Sequence, residues 1–93
     1  MPCNVHLLNS LAWIVLELPS YSGTGLDLYK TILGESWYPG FQQIPLKDFM
    51  KELDRVIHSG TADTNCLALN DLLLPYRTRL NDGYYVSFDF NTE

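Results

Sequence analysis

The stretch NDGYYVSFDF, residues 81–90, decides the predicted fold, because it joins a turn signal to an alternating strand pattern. Bulky apolar residues alternate with Tyr85, Ser87 and Asp89, which is the pattern of a strand with one buried face and one exposed face. We therefore predict a C-terminal strand whose exposed face carries Tyr85, Ser87 and Asp89.

The preceding residues supply a partner strand for a β-hairpin. A three-residue loop with Gly83 in its left-handed position would pair residues 76–80 with residues 84–88. This register places Arg77 and Arg79 on the exposed face, whereas a two-residue turn would place them on the apolar face. The sequence thus predicts a C-terminal β-hairpin with one apolar face.

The N-terminal segment VHLLNSLAWIVLEL, residues 5–18, allows two interpretations. Leu7, Leu11 and Val15 recur at helical spacing, and Pro19 ends the segment. WIVLEL, in contrast, is rich in residues that favour strands. The spacing predicts a helix over most of residues 4–18.

Two further helices are predicted, and the type of a third segment stays open. The strongest covers residues 45–59, where one apolar stripe follows Pro45 and Gly60 supplies the C-cap. Residues 26–33 form a shorter helix, and residues 66–74 are either a helix or a strand. Residues 35–44 are expected to form a loop.

These elements predict an α+β fold in a single domain, residues 1–93. A lone hairpin is marginally stable, so the helices are expected to pack on a small antiparallel sheet that ends in the C-terminal β-hairpin. The apolar fraction, 46%, is sufficient for one core.

The charge of the chain indicates its class of partner. Eleven acidic residues against six basic ones give a net charge of −5, which excludes direct nucleic-acid binding as the expected role. A basic protein is the complementary partner, although the same charge also serves solubility. The apolar run 11–18 is too short to span a membrane, and no basic region precedes it, so we expect a cytoplasmic protein.

Catalytic and metal-binding motifs are absent from the sequence. His6 and His58 have no partner at ligand spacing, and Cys3 and Cys66 are expected to be reduced thiols. We therefore predict a protein that is not an enzyme and that needs neither a metal nor a cofactor.

Aromatic residues lie among the acids, which is typical of a protein interface with anchoring rings and steering charges. The residues predicted to bind a partner are Glu35, Trp37, Asp82, Tyr85, Ser87 and Asp89.

Two segments resemble the C-terminal end of the immunity proteins for cloacin and related ribonuclease colicins. They are LLLPY, residues 72–76, and YYVSFDF, residues 84–90, with Cys66 ahead of them. The resemblance covers about a quarter of the chain and implies an acidic inhibitor of a basic toxin domain, with Ser87 and Asp89 as contacts. This chain departs from the family in its apolar N-terminal segment and in the helix at 45–59.

The sequence therefore favours an immunity protein that neutralises a bacterial toxin, a nuclease, by occluding its cationic active site. Immunity proteins of contact-dependent inhibition and Maf-type systems are similarly small and acidic. The alternative is a self-assembling or regulatory adaptor, for example a phage-encoded one, that dimerises through the N-terminal helix. A small hydrolase, a third class, would depend on Cys3, Cys66, His6 or His58.

Overall fold

The computed structural model describes residues 3–9, 13–18, 23–38 and 41–89. Strands and helices alternate irregularly along them, so the α+β class is confirmed. The elements in chain order are β1 (Cys3–Leu8), β2 (Trp13–Leu18), α1 (Gly23–Leu33), a 3-10 turn (Gly34–Ser36), β3 (Phe41–Pro45), α2 (Leu46–Ser59), α3 (Thr64–Leu73), a 3-10 helix (Leu74–Arg79) and β4 (Tyr85–Asp89).

The four strands form one antiparallel sheet in the order β2-β1-β4-β3. Strand β4 is therefore central, with His6 of β1 opposite Ser87 on one side and Gln43 of β3 opposite it on the other. Strands β2 and β3 form the two edges. The predicted packing of helices on a small antiparallel sheet is confirmed.

The predicted C-terminal hairpin is wrong, because β4 is a single strand and its neighbours are β1 and β3. Residues 76–80 lie instead in the 3-10 helix Leu74–Arg79 and the turn after it. Pro75 occupies the first turn of this helix, where a missing N–H is harmless. Gly83 does adopt the predicted left-handed conformation, with φ at 78°, but it leads into β4 from a helix. The alternating residue pattern thus predicted strand β4 correctly, but the predicted partner strand, residues 76–80, was wrong.

The predicted N-terminal helix is also wrong. Residues 4–18 contain β1 and β2, which pair antiparallel with His6 opposite Val15. Val5 and Leu7 are fully buried and His6 between them is not, as a strand period of two requires. The predicted loop at 35–44 likewise includes most of β3, the strand that forms the other edge of the sheet.

Helices α1, α2 and α3 agree with the sequence-based predictions. Helix α2 buries Leu46, Phe49, Met50 and Leu53, and it ends at Gly60 in the left-handed conformation, with φ at 79°. Helix α1 extends the predicted segment toward its N-terminus, beginning at residue 23. Helix α3 confirms the helical interpretation of residues 66–74. Its N-cap is Asp63, whose Oδ1 accepts a hydrogen bond from the Cys66 N–H at 2.8 Å.

The hydrophobic core lies between the three helices and one face of the sheet. Val5, Leu7, Ile44 and Val86 supply the strand side of this core, each at most 1% exposed. The hydroxyl of Tyr29, on α1, donates a hydrogen bond to the Val86 carbonyl and so fixes α1 to the central strand. The opposite face of the sheet takes no part in this core.

An ion pair joins α2 to the segment after α3. Arg77 donates from Nη1 to Asp54 Oδ2 at 3.2 Å and from Nη2 to Asp54 Oδ1, and it also donates to Asn70 Oδ1 at 2.8 Å. The hydrogen bonds from Arg77 lower the pKa of the Asp54 carboxyl below its ordinary value, although partial burial acts in the other direction. The folded state therefore favours the ionised carboxylate.

This ion pair makes stability depend on pH. Because the folded pKa is lowered, its contribution is present above about pH 4, where Asp54 is ionised in the unfolded chain, and disappears as the pH falls through the folded value. We expect Arg77→Met to cost about 0.5–1 kcal/mol at pH 7, since both groups are partly exposed and solvent screens them, and less at pH 3. Urea unfolding at several pH values measures this. Arg55→Met, which removes an exposed pair with Glu52 on the same helix, is the control. Equal losses at pH 7 and pH 3 for Arg77→Met would contradict the prediction.

Candidate functional site

The sheet face opposite the helices is uncovered in the part of the chain that the structure describes. Its side chains alternate with the buried ones along each strand. They form two rows across the sheet, which follow from the pairing of His6 with Val15 and Ser87, and of Leu8 with Trp13 and Tyr85. We call this surface the open face and define it by His6, Leu8, Trp13, Val15, Gln43, Tyr85 and Ser87.

Large apolar side chains dominate the open face. Trp13 is 48% exposed, Val15 53% and Tyr85 41%, and all three belong to strands rather than to loops. The rings of His6 and Trp13 meet edge to face with centroids 5.9 Å apart, which orients the indole. Grouped apolar side chains on a rigid surface are characteristic of protein interaction sites.

Tyr85 is confirmed as an exposed residue of β4, but the prediction that Ser87 is exposed is wrong. Ser87 is 0% exposed although it lies on the open face, opposite His6 on one side and Gln43 on the other. Its hydroxyl donates to the carbonyl oxygen of His6 at 3.4 Å. Ser87 therefore contributes a low point in the centre of the open face, and a partner would touch its neighbours first.

Asp82 and Asp89 stand at opposite ends of β4. Asp82 lies in the turn before the strand and pairs with Arg79, whose Nε is 3.0 Å from Oδ2, so part of its charge is already compensated. Asp89 is the last residue of β4 and its backbone is opposite Phe41, while its side chain lies outside the described part of the structure.

Glu35 and Trp37 belong to a different region from Asp82 and Tyr85. They lie in and after the 3-10 turn that precedes β3, whereas Tyr85 is opposite Pro45 at the far end of that strand. A five-residue strand separates the two regions by about 15 Å. Glu35 is exposed, but Trp37 packs partly against the core, with Lys30 Nζ 4.6 Å from its ring centroid. The predicted contacts thus form two groups rather than one patch.

Sequence reasoning missed Trp13, Val15, His6 and Gln43. The sequence predicts the first three in the N-terminal helix and the last in a loop. One signal was available, since WIVLEL is rich in strand-forming residues. These residues share a face with Tyr85 because β2 pairs with β1 and because β1 and β3 pair with β4, and no local pattern specifies this strand order.

A cleft opens next to the open face, between the end of α1 and the outer edge of β3. It has a volume of about 440 Å³ and is lined by Leu33, Ser36, Tyr38, Gln42 and Gln43. Gln43 belongs to both surfaces, so the cleft adjoins the open face at the edge of the sheet. Gln42 is a buried polar residue whose amide Nε2 donates to the Tyr38 carbonyl at 2.6 Å.

The described residues contain no cluster of three or more His, Cys, Asp and Glu side chains that could hold a metal ion. Among them, Cys66 is a buried free thiol, and burial raises its pKa, so it is held as the unreactive protonated form. No described helix has both the length and the apolar character to cross a membrane.

Comparison with known proteins gave no match to a family model, to a curated protein or to a solved structure. The open face and the adjoining cleft are therefore the features from which a function has to be inferred.

Proposed function

We propose that this chain is an immunity protein, an inhibitor that binds a basic toxin domain, a nuclease, through the open face. The observation that carries the proposal is the exposure of Trp13, Val15 and Tyr85 on one sheet face of a chain with a net charge of −5. The inhibitor has no catalytic activity of its own and acts in the cytoplasm, where the toxin would reach its target.

The open face has the properties of an energetic interface. Tryptophan and tyrosine bury large areas at low cost in conformational entropy, and they dominate measured binding energies. Here they are held by paired strands, so little ordering is required on binding. Excess carboxylates steer a basic domain toward the surface and accelerate association, with an effect that salt weakens.

The resemblance of residues 84–90 to cloacin-type immunity proteins supports the same surface. Those residues include β4, which carries Tyr85 and Ser87 in the middle of the open face. Inhibition would follow from occluding the cationic active site of the nuclease, since an acidic, aromatic surface competes with nucleic acid for the same basic groups.

Affinity capture tests the proposal. The tagged chain is expected to retain a basic, nuclease-sized protein from its native cells at low salt and less of it at moderate salt. Adding back the pure chain should then suppress the nuclease activity of the released partner at a one-to-one ratio. A captured protein whose activity is unchanged would contradict the inhibitor role, and recovery of the chain alone would favour the second candidate.

The second candidate is a self-assembling or regulatory adaptor, and one observation favours it. Strand β2 forms an edge of the sheet, and its six residues contain a single charge and no proline. Edge strands of this kind pair readily with another strand. The N-terminal helix is replaced by strands, so self-assembly would proceed by pairing of β2 with a second copy. A molecular mass that doubles with concentration in light scattering would support it, and a constant monomer mass would exclude it.

A further inference from the structure

One residue that lines the cleft beside β3 carries a buried hydrogen-bond acceptor that meets no donor among the described residues. This acceptor is Oε1 of Gln42, a residue that is 6% exposed. The other end of the same amide, Nε2, donates to the carbonyl oxygen of Tyr38 at 2.6 Å. Because a carbonyl oxygen only accepts, the amide cannot flip to exchange its two ends, and the orientation of Oε1 is fixed.

A buried acceptor without a donor disfavours the free protein, and folded proteins contain few of them. A ligand that brings a donor would remove this penalty only in the complex, which adds to its affinity. The cleft therefore selects a ligand group that donates hydrogen bonds.

We propose that the cleft binds an arginine side chain of the basic partner, with its guanidinium group donating to Gln42 Oε1. This inference rests on the proposed function for the origin of that arginine. Leu33 offers an apolar wall for the methylene groups, and the Tyr38 ring, 59% exposed, offers a surface on which a planar cation stacks. The exposed carboxylate of Glu35, next to Ser36 in the sequence, adds the complementary charge.

The arginine has to open the cleft before it can reach the amide. Oε1 is itself shut off from solvent, whereas Tyr38 and Gln43, which line the cleft together with Gln42, are both exposed. Access to the amide therefore requires a side chain of the cleft to rotate to another of its staggered positions. Because Gln43 is shared with the open face, a partner seated there can extend one side chain into the cleft.

Titration of the full chain with N-acetyl-arginine methylamide, followed by NMR, tests the site without the partner. We expect saturable shifts at the Gln42 side-chain amide and at Tyr38, with a millimolar Kd. The corresponding lysine amide should bind more weakly, and the norleucine amide should produce no saturable shift. Equal binding of arginine and lysine amides would overturn the assignment to a guanidinium, and the absence of saturation with arginine would overturn the site.

Two substitutions of Gln42 separate recognition from structure. Gln42→Met removes the acceptor and is expected to weaken binding about tenfold or more, whereas Gln42→Glu keeps an acceptor and should retain it. Both variants lose the hydrogen bond from residue 42 to the Tyr38 carbonyl. An equal loss of affinity for the arginine amide in both variants would therefore show a structural effect and overturn the proposal. Trp13→Ala, on the open face, should leave the titration unchanged. If the chain captures a basic partner but does not bind the arginine amide, the proposed arginine site is refuted and the proposed function is not. If the chain binds the arginine amide but captures no basic partner, the proposed function is refuted and the arginine site is not.

Discussion

Replacement of Val86 by aspartate is expected to unfold the domain. Val86 is fully buried in the central strand, opposite Leu7 on one side and Ile44 on the other, so a carboxylate there would have no partner in the core. An unpaired buried charge costs about 5 kcal/mol or more. A domain of this size has about 5–15 kcal/mol in total. Circular dichroism and urea unfolding should therefore show a chain that is unfolded or close to its midpoint in water.

Val15→Asp is the matched control, since it makes the same chemical change on the other face of the sheet. Val15 is 53% exposed on the edge strand β2, and aspartate there should cost about 1 kcal/mol through its poor strand propensity. A folded Val86→Asp variant would contradict the central position of β4. Equal destabilisation by both changes would contradict the division of the sheet into a buried face and an open face.

Removal of the two aromatic side chains of the open face is expected to weaken partner binding by about a thousandfold. Truncation of an anchoring tryptophan or tyrosine typically costs about 2 kcal/mol or more each, and most of this loss appears as faster dissociation. The double variant Trp13→Ala/Tyr85→Ala should remain folded, because the two residues are 48% and 41% exposed. Surface plasmon resonance with the purified partner measures both rate constants.

Leu67 and Leu74 provide the control for this experiment, because they are exposed to the same degree on the helical side of the molecule. Leu67 on α3 is 48% exposed, and Leu74 at the start of the 3-10 helix is 51% exposed. Leu67→Ala/Leu74→Ala should bind the partner as the unchanged chain does. Loss of binding in this variant, with binding retained by the open-face variant, would move the interface to the helices.

The structure differs from the sequence-based prediction where pairing between distant segments decides the outcome. Helix α2 was predictable because its stripe, from Leu46 to Leu53, and its cap at Gly60 are local signals. Strand β4 was recognisable from its alternation, but its neighbours β1 and β3 lie far away in the sequence. At residues 5–18, the apolar residues are compatible with a helix and with strands. The segment forms strands because Val5 and Leu7 then fill the core beside Val86.

The location of the candidate site also depends on pairing between segments that are distant in the sequence. Tyr85 was predictable as an exposed strand residue, whereas the burial of Ser87, which is paired on both sides with β1 and β3, was not. Trp13 and Val15 reach the same face only through the pairing of β2 with β1. Charge and residue type could therefore predict an interface, but its location required the strand order.

The most direct test of the central claim, that the open face binds a basic toxin domain, compares three tagged chains in native cells. They are the unchanged protein, Trp13→Ala/Tyr85→Ala and Leu67→Ala/Leu74→Ala, and mass spectrometry quantifies what each retains. We predict that the unchanged chain and the helical-side variant retain one basic protein in near-equal amount, and that the open-face variant does not. Retention of that protein by all three chains would contradict the account.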